Sequence, residues 1–141
     1  MSEDCIFCKI VAGEIPAAKI YEDEYTLAFM DISPIVKGHA LVIPKDHYDP
    51  ITQTPDDVLG RCMGVAKRIA QAQIDALGAD GVNLHQANGA AAGQVVPHIH
   101  FHVIPRFDDD GHHCNWSGKE YDSMEEMGEN AEKLKAEMLK T

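Results

Sequence analysis

The chain has 141 residues, 45% of them apolar, which is enough to close one hydrophobic core and too little for two ordinary domains, so residues 1–141 read as one compact soluble domain. A formal charge of -11, from 23 acidic against 12 basic side chains, argues against long nucleic acid as a partner but leaves room for a small nucleotide in a local pocket. No apolar run approaches the roughly 20 residues of a membrane span, and the acidic start Met1-Ser2-Glu3-Asp4 is the opposite of a signal peptide's basic one, so the expected compartment is the cytosol.

Residues 18–22 and 26–30 read as two short strands around the polar turn Asp23-Glu24, and residues 39–44 as a third after the turn at 34–38; together they suggest an antiparallel meander. Thr54-Pro55-Asp56-Asp57 supplies an N-cap, a proline at the first helical position and two carboxylates at the positive end of a helix dipole. Leu59, Cys62, Val65 (or Met63), Ile69 and Ile74 then recur near helical spacing until Gly78, predicting one amphipathic helix over 55–77. Residues 81–86 return to a strand, 88–93 form a loop of small residues, and 94–104 alternate like a strand that ends the sheet near Pro105. Ser123 followed by Glu126 is a capping box, with Met127, Ala131, Leu134 and Met138 on one face of a C-terminal helix behind it. Repeats and low-complexity tracts are absent from the sequence, and only the polar stretch 108–113 resembles a linker. The predicted class is α+β.

Residues 98–103 read His-Ile-His-Phe-His-Val, and strand alternation places His98, His100 and His102 on one face with Ile99, Phe101 and Val103 on the other. A polar strand face of solvated imidazoles is one reading of this pattern. Direct binding of one metal by all three is another, but same-face residues two apart lie roughly 6.5 to 7 Å apart, so three nitrogens cannot meet one ion without strong bending. The third reading makes one imidazole a nucleophile, which suits a group whose ordinary pKa near 6.5 leaves it largely neutral at pH 7. The loop Asn88-Gly-Ala-Ala-Ala-Gly-Gln94 just before the run can then bring backbone N–H groups and an amide to a phosphoryl oxygen.

The run 98–104 preceded by Gly93-Gln94, together with Asp31-Ile-Ser-Pro34 and Ala40-Leu-Val-Ile-Pro44, resembles the histidine-triad (HIT) family, in particular its HINT-like branch, over about Cys5 to Arg106. The resemblance implies an antiparallel sheet meander with one long helix and a C-terminal helix, the sheet continued across a homodimer, with a core at about 5–106 and an extension at 107–141. It implies a hydrolase or transferase acting on nucleoside phosphoramidates or AMP conjugates through a nucleotidyl-histidine, and a purine nucleotide as the partner. His100 matches the nucleophile, His102 the histidine that contacts phosphate, and Asp31 the carboxylate on the ribose hydroxyls. Phe7, Ile10 and Ile32 match apolar walls, while Asn88, Gly93, Gln94 and Val95 match positions around the phosphate. Position 95 is valine where many relatives carry serine or threonine beside the leaving group. A dinucleoside polyphosphate hydrolase would use the same residues, and a nucleotide-binding scaffold with incidental turnover is an alternative of another class.

Cys5-Ile-Phe-Cys8 has the spacing that lets two thiolates bind one tetrahedral zinc, but one pair is half a site. The resemblance implies that His47 and His98 complete it, giving a structural zinc not required for catalysis; two unrelated thiols are the simpler alternative. Cys62 falls on the apolar face of the long helix and is expected in the core. Cys114 beside His112 and His113 reads as a solvated turn rather than a second metal cluster, and Trp116 reads as a residue reaching a dimer interface.

Overall fold

Among the described residues, well-punctuated segments build five strands and three α-helices. In the computed structural model, which describes residues 4–113 and 116–141, they run in the order α1 (Ile6–Val11), β1 (Lys19–Glu22), β2 (Thr26–Met30), β3 (Ala40–Pro44), α2 (Asp56–Leu77), β4 (Gly81–His85), β5 (Phe101–Arg106) and α3 (Met124–Met138). Residues 1–3 of the acidic start and Cys114 lie outside the described residues. The chain divides into two compact units, residues 1–110 and 111–141. The first holds the sheet with α1 and α2; the second holds α3, whose first turn is capped by Ser123 Oγ accepting the Glu126 N–H at 3.1 Å. Met127, Leu134 and Met138 on α3 are all exposed. Among the described residues no helix is long and apolar enough to cross a membrane.

The sheet is antiparallel throughout, in the order β1-β2-β3-β5-β4. The first three strands form the meander that the sequence suggests, the β1–β2 turn being held by Asp23 Oδ1, which accepts the N–H groups of Tyr25 and Thr26 at 2.8 Å each. β5 then inserts between β3 and β4, so the last strand in sequence is internal to the sheet and β4 forms an edge. Alternation gives the sheet two apolar faces. Ala28, Val42, Phe101 and Val103 pack with Ile99 against Cys62, Val65, Ala66 and Ile69 of α2. Leu27, Phe29, Leu41 and Ile43 pack on the other side with Phe7, Cys8 and Ile10 of α1.

The structure departs from the sequence reading at four places. α1 is an element that the sequence reading does not include; Cys5 is its N-cap, with Sγ accepting the Cys8 N–H at 3.4 Å. Thr54 does not cap α2. Its hydroxyl donates to the Pro50 carbonyl at 2.9 Å, and the helix starts after Pro55, whose carbonyl accepts the first N–H groups. On α2 the inward position near the C-terminus belongs to Gln73 rather than Ile74: the Gln73 amide donates to the carbonyls of Gly38 and Val103 at 3.0 and 2.9 Å, while Ile74 is 44% exposed. Finally, β5 starts only at Phe101. Pro97 has no N–H for a ladder, and the segment before Phe101 instead binds the loop after β3, the Ile99 N–H donating to the Tyr48 carbonyl at 2.7 Å.

The burial pattern of α2 is open to a direct check. Ile69→Ala is expected to cost about 2 to 5 kcal/mol in urea unfolding, as for other buried aliphatic truncations, whereas Ile74→Ala on the same helix is expected to cost about 1 kcal/mol or less. Equal costs would show that the helix faces the sheet differently.

Candidate functional site

Two clusters of chemical side chains lie on the α1 side of the sheet, joined by the segment from His98 to His102. The first is built at the start of α1. One helical turn brings Cys5 and Cys8 together, and His98, fully buried, meets both: its Nδ1 lies 3.3 Å from Cys5 Sγ and 3.6 Å from Cys8 Sγ. His47 Nδ1 lies 3.4 Å from Cys8 Sγ. All four donor atoms fall within 4.8 Å of one another.

Hydrogen bonding sets the direction of the His98 ring. Its Nε2 faces the Pro44 carbonyl at 2.9 Å, and a carbonyl only accepts, so Nε2 carries the proton and the Nδ1 lone pair points at the two sulfurs. A tetrahedral zinc with bonds of roughly 2.3 Å to sulfur and 2.0–2.1 Å to nitrogen would hold sulfur and nitrogen about 3.6 Å apart, close to the observed separations. Burial pushes the Cys5 thiol above its usual range and holds His98 down to about 4. The neutral ring keeps its lone pair, and a divalent cation is what would stabilise thiolates in so dry a place. The donor set Cys5, Cys8, His47 and His98 therefore fits a metal.

The second cluster is Asp31, His39 and His102, also within 4.8 Å of one another, and its protons are arranged differently. The Ile35 N–H donates to His39 Nδ1 at 3.1 Å, so the His39 proton sits on Nε2. That Nε2–H donates to His102 Nδ1 at 2.8 Å, leaving the His102 proton on its own Nε2. Burial lowers His39 from the usual histidine range and lowers His102 to about 4, with the neighbouring imidazoles adding to the second effect, so both rings stay neutral near pH 7. A proton occupies the line on which an ion would sit. The arrangement orients a hydrogen-bond donor and does not fit a metal.

His100 stands between the clusters and is buried. Its Nδ1 lies 2.7 Å from the His98 carbonyl and must donate to it, which frees the lone pair on Nε2. Phe7 meets its ring edge-on at 5.1 Å between centroids, and His102 lies at 5.0 Å. An imidazole nitrogen fixed in direction beside a neutral N–H donor is suited to attack on phosphorus with support for the developing oxyanion.

The other residues singled out by sequence take varied positions. Asp31 accepts the Ser33 N–H at 2.8 Å through Oδ1, while Oδ2 lies 3.6 Å from His39 Nε2. Phe7 and Ile10 are buried in the apolar layer under the sheet; Ile32 and Val95 are almost fully exposed. Asn88 and Gln94 brace their own surroundings. Asn88 Oδ1 accepts the Ile51 N–H, and Gln94 accepts the Gly89 N–H at 2.7 Å while donating to Asp49 Oδ1 at 2.7 Å and to the Val96 carbonyl.

Several of the backbone N–H groups that read as phosphate ligands are also engaged. Those of Ala92 and Gln94 donate to the Gly89 carbonyl and that of Gly93 to Ala90, because the loop closes into a short 3₁₀ turn with Gly93 at φ 91°. His39 and Asp49 are site residues that sequence reasoning missed. His39 reads as the first residue of a strand, and its only signal is that a histidine at a strand start beside Asp31 is polar where the strand is otherwise apolar.

Comparison with known proteins agrees with this geometry. The HIT domain model matches residues 12–109. An uncharacterized HIT-like protein of Methanocaldococcus jannaschii is 51% identical over 107 residues, 76% of this chain and 82% of that one. The adenosine 5′-monophosphoramidase HNT1 of Saccharomyces cerevisiae is 44% identical over 119 residues, 84% and 73% of the two chains. Among solved structures, a zinc-bound histidine triad family protein from Mycobacterium smegmatis superposes with a TM-score of 0.76 at 40% identity, covering 94% of this chain and 96% of that one. With the family model spanning most of its length and the paired thiols and successive histidines in place, this chain belongs to the histidine-triad family.

Proposed function

We propose that this protein is a hydrolase of nucleoside phosphoramidates or related AMP conjugates and that His100 is its nucleophile. The observation that carries the reading is the His100–His98 hydrogen bond, which leaves Nε2 as a bare, fixed lone pair. The activity named for the yeast relative, a monophosphoramidase, supports the substrate class.

In the first step a bond forms from His100 Nε2 to phosphorus as the phosphorus–nitrogen bond breaks, and the amine departs with a proton from solvent. In the second, water attacks phosphorus, the bond to Nε2 breaks, and the nucleoside monophosphate leaves with its proton lost to solvent. His102, its proton held on Nε2 by the His39 relay, donates to a non-bridging oxygen in both steps. Asp31 takes the ribose hydroxyls, and Phe7, Ile10 and Ile32 provide the apolar side of the nucleoside pocket. Asn88, Gly93 and Gln94 shape the loop around the phosphate, and Val95, without a hydroxyl, leaves protonation of the departing amine to water. Cys5, Cys8, His47 and His98 hold a structural zinc, which when bound fixes the start of α1 to the triad segment and supplies no reacting group. β4, an edge strand among the described residues, is where a second copy would extend the sheet into a homodimer, with residues 107–141 as an extension of one histidine-triad domain.

Intact-protein mass spectrometry after alkaline quenching, in the first turnovers with adenosine 5′-phosphoramidate, should find an adenylyl adduct on wild type and none on His100→Ala. The variant should lose on the order of a thousandfold or more in kcat. Turnover of the variant at the wild-type rate would remove His100 from the chemistry.

Metal analysis should find about one zinc per chain in wild type and almost none in the double variant Cys5→Ser, Cys8→Ser, whose Tm should fall by roughly 5 °C or more. Zinc retained by the double variant would defeat the four-ligand assignment.

A further inference from the structure

The catalytic face carries one more imidazole than the proposed mechanism uses. His85, the last residue of β4, pairs directly with His102 in the β4–β5 register, and alternation puts both side chains on the same face. The rings are 5.4 Å apart between centroids, tilted by 49°.

The environment of His85 differs from that of its neighbours. His39 has both ring nitrogens committed to hydrogen bonds within the chain, and His100 and His102 each have Nδ1 so committed. The His85 side chain makes no hydrogen bond among the described residues and is exposed. Of the imidazoles on this face it is the one with neither ring nitrogen committed, so it can turn toward a bound molecule without breaking a native hydrogen bond.

Charge on His85 reaches its neighbours. It opposes protonation of His39 and of His102, which are also held down by burial. The groups facing His85 are the His102 and His39 rings on and beside the neighbouring strands, the His100 ring beyond His102, and the Asp31 carboxylate, already tied to Ser33 and near His39. α2 lies on the opposite face of the sheet. A site of neutral donors in a chain of net charge -11 has little cationic help for an anion, and His85 stands where such help would be felt.

We infer that His85 is a phosphate-binding residue of this site, its protonated imidazole placing a positive charge beside the His102 N–H for the non-bridging oxygens of a nucleotide phosphate ester. The inference rests on the nucleotide reading above and adds to it a residue that strengthens binding as pH falls. Histidine is the ordinary side chain whose charge changes between pH 5 and 8, which sets the range of the test. Its sign is fixed: the charged form gains a partner in the complex, so affinity rises with proton uptake.

The test is calorimetric binding of the methyl ester of adenosine 5′-monophosphate, a phosphodiester whose single negative charge does not change over this range. Dissociation constants would be measured at about pH 5.5 and about pH 8 for wild type, His85→Gln and His85→Arg. Wild type should bind more tightly at the lower pH. His85→Gln should match wild type at pH 8 and bind about two- to fivefold more weakly at pH 5.5, the range of one partly exposed charge pair. His85→Arg, with a permanent charge, should show the tighter affinity at both values.

Superimposable profiles for wild type and His85→Gln would overturn the inference, as would an equal loss at both pH values, which would assign His85 a purely structural part. Absence of binding by wild type at both pH values would overturn the nucleotide reading itself, and this inference with it.

Discussion

The residue on which the site depends is His98, because each of its polar ends is committed to a different task. Its Nε2–H is fixed by the Pro44 carbonyl at the end of β3, its Nδ1 faces the thiols of Cys5 and Cys8, and its backbone carbonyl receives the Nδ1–H of His100. Sheet, metal-binding cluster and nucleophile are thereby linked through one buried residue. Removing the imidazole would leave a carbonyl and a pair of buried thiols without their partner, and an unsatisfied buried polar group costs about 1 to 3 kcal/mol. The carbonyl that orients His100 would lose its anchor at the same time.

The sheet makes this possible by keeping chemistry and core on opposite sides of one segment. Ile99, Phe101 and Val103 face α2 and carry packing, while His98, His100 and His102 face α1 and carry polarity. β5 lies between β3 and β4, so the histidines meet side chains from both neighbours: His39 at the start of β3 and His85 at the end of β4. A strand at the sheet edge could offer only one such set. The late insertion of β5 into the sheet gives the site its second row of imidazoles.

Much of this was legible in the sequence. Five strands, the long helix, the C-terminal helix and the alternation of 98–103 follow from period and punctuation, and the pair Cys5 and Cys8 follows from spacing. What was not legible depends on contacts distant in sequence. α1 is six residues long, too short for a periodic signal, and it is held by packing under the sheet. The hidden role of Gln73 required knowing that the Gly38 and Val103 carbonyls come within reach of α2. The alternation of 94–100 looks like a strand because strand and extended loop share a backbone region; Pro97 and the Tyr48 carbonyl decide between them. Proton positions were least legible of all, since the tautomer of His102 is set two groups away by the backbone of Ile35.

The loop from Gly89 to Gln94 binds the N–H groups of Gly89, Ala92, Gly93 and Gln94 internally, through its 3₁₀ turn and the Gln94 side chain, which also ties it to Asp49. Its shape therefore exists before anything binds. A molecule entering beside it meets a wall and not a flexible chain to be wrapped, so little conformational entropy is left to lose on binding. Selection at this point in the fold acts by shape: what is accepted is what already fits, and a change in preference would require replacing side chains on the wall, such as Val95, rather than loosening the loop that carries them.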